Sequence, residues 1–176
     1  MSYFRASDLF DNAVSGFHPS DVTFSLNKQN VADCQLRGPG IYFMYFKEEL
    51  VYIGFYRGSK KNNNVAIARW IKELETISMR GFHVSFNPKS ILTLSTCQLL
   101  QASFQNPGKG DSGYLTSQNR LTFAEKNWPE LSQDPSQWLC HFTFHWHQKS
   151  DQHRTKIEIH QVTNQLKQFF KPTCNG

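Results

Sequence analysis

The chain has 176 residues, 39% of them hydrophobic and 14% aromatic, and its formal charge at pH 7 is +5. This length suffices for one buried core but is short for two ordinary domains, so we expect a single domain over residues 1–176. No apolar run approaches the roughly 20 residues of a membrane-spanning helix, and the N-terminus lacks the pattern of a secretory signal. We therefore expect a cytoplasmic protein with no membrane partner, and the positive charge favours a polyanionic one.

Four cysteines are spread along the chain, and no two of them form a Cys-x-x-Cys pair. In a reducing compartment we expect free thiols that act as small hydrophobic side chains. A four-cysteine zinc site is the less favoured alternative, since zinc ligands usually include closely spaced pairs. The cysteines are Cys34, Cys97, Cys140 and Cys174.

Residues 1–37 precede the first motif and are interpreted as an N-terminal extension. Ser7 is suited to cap a helix whose apolar residues, from Leu9 to Val14, recur at helical spacing. Residues 21–26 alternate between apolar and polar side chains, which is typical of a strand. No pattern in this segment indicates chemistry.

Residues 38–55 contain two runs of aromatic and β-branched residues on either side of Lys47-Glu48-Glu49. This pattern predicts a β-hairpin that follows a Pro/Gly break. Its strands carry the triplets Gly40-Ile41-Tyr42 and Tyr52-Ile53-Gly54. Because side chains alternate between the two faces of a strand, a turn of three or five residues would place both tyrosines on one face. Core packing is the alternative role for each tyrosine.

A helix is predicted over residues 65–78, where apolar side chains recur on one side of the helical wheel. Arg69 lies about 140° from the centre of this stripe, at about 100° per residue, and should project away from the core. The loop that begins at Arg57 also contains Lys60 and Lys61. These cations are candidates for phosphate contacts, and a solvated helix face is the alternative role of Arg69.

Residues 79–136 form a long segment before the last predicted strand. Its Gly-Lys-Gly sequence lacks the glycine spacing of a P-loop. Lys109 and Arg120 belong to a polar loop whose side chains can read base edges or bind phosphate, so we interpret the segment as a DNA-recognition insert. A surface loop without function is the alternative. The predicted elements are a strand at 81–86, a helix near 91–104, the loop at 106–120 and a helix at 123–128 closed by Pro129.

A strand with one buried face is predicted over residues 138–148, where aromatic side chains and Cys140 alternate with His141, His145 and His147. The histidine row has the residue type of a zinc site, but residues two apart on a strand lie about 7 Å apart and no acid or cysteine partner is near. We favour a wet, partly cationic face, in which His145 is a candidate for contact with phosphate.

The last predicted element is a helix over residues 156–170. Its core stripe comprises Ile159, Val162, Leu166, Phe169 and Phe170. Glu158 lies roughly 70° from the centre of the stripe, between core and solvent, where a single oxygen ligand of a hydrated Mg²⁺ is expected. It is also the only acidic residue after Asp151.

The two hairpin triplets, together with Arg69, Glu158 and Asn175, resemble the signature of the GIY-YIG nuclease family. The resemblance implies an α+β fold with a small central mixed sheet of about three strands, opened by the hairpin and flanked by helices. In that fold the parts of the chain would be the extension (1–37), the hairpin and first core helix (38–78), a large insert (79–136), and the third core strand with the metal-site helix (137–176).

The resemblance implies a role for each matching residue. Tyr42 would accept the proton of the attacking water, Tyr52 would hold water or phosphate, and Arg69 would offset charge on the phosphoryl oxygens. Glu158 would hold one Mg²⁺ or Mn²⁺ at the leaving oxygen. A free phenol has a pKa near 10, so Tyr42 would need cationic neighbours to act as a base. The supporting residues would be Gly40, Gly54, Arg57, Lys60 and Asn175.

Three positions depart from the family pattern. Many relatives have His or Tyr one turn after the arginine, where this chain has Glu73, and His83 is a speculative substitute. Glu158 lies 17 residues before Asn175, which is longer than the usual interval. Thr163 stands at the usual interval and cannot serve as an anionic ligand. The loop before the helix also leaves Arg57 as a rival for the catalytic arginine.

A small free-standing chain with an internal insert looks most like a type II restriction endonuclease of this family. The resemblance implies Mg²⁺-dependent, sequence-specific cleavage of double-stranded DNA to 5′-phosphate and 3′-hydroxyl ends, by a homodimer if the site is palindromic. DNA contacts would come from Lys61, Lys109, Arg120 and His145. The alternatives are a repair or homing nuclease of the same fold and an inactive nucleic-acid-binding module.

Overall fold

The structure is a computed structural model that describes residues 2–15, 22–31, 36, 39–57, 65–80, 118–148 and 156–175. These residues form a mixed α+β fold. Its strands are β1 (Ser2–Arg5), β2 (Phe10–Val14), β3 (Val22–Leu26), β4 (Gly40–Phe46), β5 (Glu49–Tyr56) and β6 (Phe142–Gln148). Its helices are α1 (Ala6–Leu9), α2 (Lys28–Val31), α3 (Val65–Ser78), α4 (Gln118–Lys126), α5 (Trp128–Leu131), α6 (Pro135–Trp138) and α7 (Lys156–Phe170), with a 3-10 turn at Leu139–His141.

The central sheet has four strands in the order β1-β6-β4-β5, and every neighbouring pair is antiparallel. The expectation of a mixed sheet with about three strands is therefore wrong in both details. The fourth strand, β1, comes from the segment interpreted as an extension and pairs with β6. Strands β2 and β3 form a separate two-stranded sheet.

A two-residue turn joins β4 to β5, so the expected turn of three or five residues is wrong. Lys47 and Glu48 both have positive φ, at 48° and 68°, as a tight hairpin turn requires. The turn sets Phe46 opposite Glu49. In that register even-numbered positions face odd-numbered ones, and the two hairpin tyrosines would lie on opposite faces.

A β-bulge in β5 returns the two hairpin tyrosines to the same face of the sheet. The register shifts between Met44 and Tyr45, and Val51 is the extra residue that has no partner on β4. Because a shift of one residue moves every later side chain to the other face, Tyr42 and Tyr52 come to share a face. The expected convergence of the phenols is confirmed, and the bulge is its cause.

One face of the sheet packs against α3. Trp70 of α3 stacks on Phe144 of β6, with ring centroids 4.7 Å apart and planes 5° apart, and it also contacts the Tyr42 ring. The predicted apolar stripe is confirmed by the burial of Ile67, Leu74 and Ile77. Arg69 projects away from this core with half of its side chain exposed, as predicted.

The other face packs against α7, whose predicted bounds of 156–170 are confirmed. Ile159 joins Ile41 and Ile53 in a small cluster, and the α7 residues Val162 and Leu166 pack against it. The end of the predicted stripe is wrong, because Phe169 and Phe170 are exposed. No helix in the described ranges is long and apolar enough to cross a membrane.

Two other predicted elements begin elsewhere. Helix α1 is a single turn whose N-cap is Arg5 rather than Ser7, and the continuation of that helix toward Val14 is strand β2. The last strand begins at Phe142, because Trp138 ends α6 and Cys140 lies in the 3-10 turn. Strand β3 and the buried aromatic face of β6 are confirmed.

The predicted insert is described only in its last part. The strand at 81–86, the helix near 91–104 and nearly all of the polar loop lie outside the described residues. The helix predicted at 123–128 is replaced by α4, which begins at Gln118, and by α5, in which Pro129 occupies the first turn. Of the cysteines, Cys140 and Cys174 are free thiols, while Cys34 and Cys97 lie outside the described residues.

Glu75 of α3 makes the stability depend on pH. Burial raises the pKa of its carboxyl group from 4.5 to about 7, against the opposing effect of Lys72. The folded chain therefore binds this proton more tightly than the unfolded chain, and stability is lost as the pH rises from about 4.5 to 7. We expect Glu75→Gln to raise the free energy of unfolding in urea by roughly 1 kcal/mol at pH 8, after allowance for solvent screening, and by less at pH 5.

The matched control for this prediction is Glu158→Gln, at an exposed carboxylate of α7. Urea denaturation of this variant at pH 5 and pH 8 measures the effect of removing a surface carboxylate. An equal gain at pH 5 and pH 8 for Glu75→Gln would contradict the assigned cause.

Candidate functional site

Two phenols meet on the α3 face of the hairpin. Tyr42 is buried, Tyr52 is partly buried, and their ring centroids are 6.1 Å apart. Strands β4 and β5 hold them in place through the bulged register. The two residues that the hairpin pattern singled out are therefore neighbours in space.

Glu73 of α3 lies between these phenols and is buried, with 2% of its surface exposed. Its Oε1 accepts hydrogen bonds from the Tyr42 hydroxyl at 3.3 Å and from the Tyr52 hydroxyl at 3.5 Å. Arg69, one helical turn earlier, places its Nε 3.2 Å from the same oxygen. The position that departed from the family pattern is thus the centre of the site.

Arg120 of α4 binds the second oxygen of the Glu73 carboxylate. Its Nη2 donates to Oε2 of Glu73 at 2.8 Å, and its Nη1 donates to the hydroxyl of Thr76. Its guanidinium also lies over the Tyr52 ring, 4.8 Å from the centroid. The sequence assigned Arg120 to a DNA-reading loop, whereas the structure brings it beneath the phenols.

Burial and the Glu73 carboxylate keep both phenols protonated. Burial, followed by the charge of Glu73, raises the pKa of Tyr42 well above 10. The same two causes, in the same order, raise the pKa of Tyr52. At neutral pH each hydroxyl is therefore a hydrogen-bond donor to Glu73, and neither phenol is a phenolate.

Arg69 keeps its positive charge beside the phenols. Burial acts to lower its pKa, but Glu73, Tyr42 and Tyr52 together more than offset this effect, and the pKa of the guanidinium is raised. Two guanidinium groups, those of Arg69 and Arg120, thus compensate one buried carboxylate. A buried charge of this kind is tolerated only when it is paired and hydrogen-bonded.

Two backbone features fix the hairpin around the phenols. A Cβ at Gly54 would overlap the ring of Tyr42, and a Cβ at Gly40 would overlap the ring of Trp146. Asn175 holds β5 from the other side, since its Oδ1 accepts from the Ile53 N–H at 2.7 Å and its Nδ2 donates to the Ile53 carbonyl at 3.1 Å. Both hydrogen bonds are made by the backbone of Ile53, which lies between Tyr52 and Gly54 in the sequence.

A pocket of about 620 Å³ opens over the phenols and runs along the edge strand β5. No Asp or Glu belongs to the lining that the described residues provide, so the positive charges of the wall suit an anion. Burial lowers the pKa of Lys167, which lies 5.9 Å from the centroid of the Tyr52 ring. The cations of the lining are Arg57, Arg69, Lys72 and Lys167.

Lys167 and Glu73 are the site residues that the sequence did not reveal as such. Glu73 had a usable signal, because it follows Arg69 by one helical turn and so faces the same direction. Lys167 had none, since its approach to Tyr52 depends on how α7 crosses the sheet.

Glu158 does not join the site. It is exposed in the first turn of α7, and it is absent from the described lining of the pocket. Nine residues separate it from Lys167, which is roughly 13 Å along the helix axis at about 1.5 Å per residue. Thr163, at the family's usual interval, is buried and donates its hydroxyl to the Ile159 carbonyl at 2.7 Å.

The described donors do not form a site for Mg²⁺ or Mn²⁺ beside the phenols. Glu73 is the carboxylate there, and each of its oxygens is already paired with a guanidinium group. These hard cations prefer oxygen ligands with uncompensated charge. More generally, the described residues contain no group of three or more His, Cys, Asp or Glu side chains that could hold a metal ion.

The remaining predicted residues either lie outside the described residues or lie away from the phenols. Lys60, Lys61, Lys109 and His83 lie outside the described residues. His145 lies on the opposite face of the sheet, where its ring is 5.0 Å from that of Tyr3 and 4.7 Å from that of Tyr45. His141 is in the 3-10 turn and pairs with Glu130, so the three histidines do not form one row.

Comparison of the chain with known protein families, with curated proteins and with solved structures found no match. The site described above therefore rests on the geometry of this chain alone.

The contact between Gly54 and the Tyr42 ring can be tested directly. We expect Gly54→Ala to lower the free energy of unfolding by about 1–3 kcal/mol, because the added methyl group must displace a buried ring. In a Tyr42→Ala background the same substitution should cost much less, as measured by urea denaturation in a double-mutant cycle. Equal costs in the two backgrounds would show that the methyl group strains something other than Tyr42.

Proposed function

We propose that the chain is a phosphodiester hydrolase that cuts DNA, the reaction that the resemblance to the GIY-YIG nucleases implies. The observation that supports this most strongly is the buried carboxylate of Glu73, which bridges two phenols beneath a pocket lined by cations. In its most specific form, the proposal is a type II restriction endonuclease that acts on double-stranded DNA as a homodimer.

The pocket would bind the scissile phosphate through its cationic wall. A guanidinium has five N–H donors, and the Nε of Arg69 is bonded to Glu73. Its terminal N–H groups would bind the phosphoryl oxygens and stabilise the charge that develops on them. Arg57 and Lys72 line the same pocket and would hold the flanking oxygens.

Proton transfer from water would pass through Tyr42 to Glu73. The hydroxyl of Tyr42 donates to Glu73, and its oxygen lone pairs can accept from a water molecule. As that water attacks phosphorus, its proton would pass to Tyr42 while the phenolic proton passes to Glu73. A free phenolate is then never required, which agrees with the raised pKa of Tyr42.

Cleavage would break the bond between phosphorus and the 3′-oxygen. The departing oxygen would take its proton from Lys167, whose pKa is lowered by burial. The products would be a 5′-phosphate and a 3′-hydroxyl. Because the described donors do not fit a divalent ion, the proposed steps use only side chains of the protein.

A nucleic-acid-binding module without cleavage is the second candidate function. It is favoured by the compensation of Glu73 by Arg69 and Arg120, because both oxygens of the carboxylate are already paired with guanidinium groups. The same cationic pocket would then hold a phosphate without hydrolysing it.

Incubation of the purified chain with supercoiled plasmid separates these functions. We expect cut DNA, with discrete bands for a site-specific enzyme and a smear for a nonspecific one. Intact plasmid together with a salt-dependent gel shift would support the binding module instead. The digest is run with Mg²⁺, with Mn²⁺ and with EDTA, so that the dependence on a metal ion is measured at the same time.

Tyr42→Phe and Glu73→Gln remove the proton path while preserving the shape of the site. We expect each to lower the cleavage rate by at least about 100-fold, the usual scale of general acid–base catalysis, with little change in DNA affinity. Tyr3→Phe is the matched control, because it removes an exposed phenol from the other side of the sheet and should leave the rate unchanged. A normal rate for Glu73→Gln would overturn the proposed path.

The comparison of Glu158→Ala with Lys167→Ala tests which residue of α7 serves the reaction. We expect Lys167→Ala to reduce cleavage strongly, because it removes a cation from the pocket, and Glu158→Ala to retain cleavage. The opposite result, with loss of Mg²⁺ dependence in Glu158→Ala, would restore the metal-ligand role that the resemblance implies.

A further inference from the structure

A second pocket, of about 570 Å³, adjoins the phenol pocket and shares Lys167 with it. It lies between the start of α4, the second half of α7 and the segment that follows α7. We call it the amide groove, because carboxamide side chains dominate its lining. The lining residues are Asn119, Asn164, Lys167, Gln168, Lys171, Pro172, Thr173 and Asn175.

Helix α7 supplies one wall of the amide groove. Asn164, Lys167 and Gln168 follow one another at spacings of three and one residues, which places them along one face of the helix, and Lys171 is the first residue after its end, with a φ of 48°. The apolar face of α7 packs against the sheet, so this polar row is turned away from the core. Its second member, Lys167, also lines the phenol pocket.

Hydrogen bonds connect the opposite wall of the amide groove to the residues around the phenols. Nδ2 of Asn119 in α4 donates to the carbonyl of Asn175 at 3.0 Å, and the side chain of Asn175 holds the backbone of Ile53. Arg120, the next residue of α4, is bonded to Glu73. The two walls are thus fixed relative to the phenols rather than carried on an independent loop.

The chemistry of the groove suits a nucleic-acid strand. Lysine and carboxamide N–H groups are among the usual donors to phosphate oxygens, and carboxamides also contact base edges. No Asp or Glu belongs to the lining formed by the described residues, although Glu49 accepts from the hydroxyl of Thr173 at 2.8 Å. From Asn164 to Lys171 the polar row is about 10 Å long at about 1.5 Å per residue, which gives it room for neighbouring phosphates of one DNA strand.

We propose that the amide groove holds the DNA strand on one side of the scissile phosphate, with Lys171 on a flanking phosphate. This inference rests on the proposed function, since it takes the phenol pocket as the site of the scissile phosphate. Lys167, which lines both pockets, marks the point where the strand passes from one to the other.

The test measures the affinity of the full chain for a fluorescently labelled DNA duplex of about 30 base pairs over a range of salt concentrations. Because each phosphate contact contributes about 0.9 to the slope of log K against log salt, Lys171→Ala should reduce the magnitude of that slope by about 0.9. Lys28→Ala, at an exposed lysine outside both pockets, is the matched control and should change neither slope nor affinity appreciably.

A second variant tests the carboxamides separately from the charge. We expect Asn164→Ala with Gln168→Ala to weaken binding of the duplex about tenfold without changing the salt slope. Hydrolysis of bis(p-nitrophenyl) phosphate should be unchanged in this variant and in Lys171→Ala, because so small a diester occupies only the phenol pocket.

The outcomes distinguish the groove from the function on which it rests. If the duplex binds and the groove variants weaken it as expected, but neither plasmid nor the small diester is cleaved, the groove stands and the hydrolase proposal fails. If Lys171→Ala and Lys28→Ala change the slope equally, the groove is not the path of the strand. Loss of small-diester hydrolysis in the groove variants would also overturn the inference, because the groove would then act only by supporting the pocket.

Discussion

The structure depends on how one buried carboxylate is satisfied. An unpaired charge in the interior costs several kcal/mol, so Glu73 can lie beneath the surface only where donors surround it. Those donors come from three separate parts of the chain: the hairpin, helix α3 and helix α4. The carboxylate therefore links these elements by polar contacts, in addition to the apolar packing of α3 on the sheet, and removal of a single donor leaves a buried charge partly unpaired.

Satisfying Glu73 also fixes the protonation of its neighbours. Tyr42 and Tyr52 are held as neutral donors, while Arg69 is held as a cation. Arg69 also lines the pocket above, together with Lys72 and Lys167. The result is a layered distribution of charge, with Glu73 compensated by two guanidinium groups below and an excess of positive charge at the surface where a phosphate would enter.

Precision in this arrangement comes from the backbone of the hairpin. The bulge at Val51 turns Tyr52 toward α3, and the missing side chain at Gly54 makes room for the Tyr42 ring. Asn175, near the end of the chain, holds the same stretch of β5 from outside. Supporting contacts of this kind, from packing and from hydrogen bonds, are what hold the groups of a site within about 0.5 Å of one geometry.

The sequence by itself determined the helices at 65–78 and 156–170, the outward direction of Arg69 and the pairing of β4 with β5, because periodicity and turn residues are local properties. It also singled out Tyr42 and Tyr52 as neighbours on one face of the hairpin. The turn between their strands has two residues, however, rather than three or five. Only the tertiary structure decided that Glu73, Arg120 and Lys167 gather at the phenols and that Glu158 stays outside. Those distances depend on a bulge and on the crossing of helices far apart in the chain, and no local pattern encodes either.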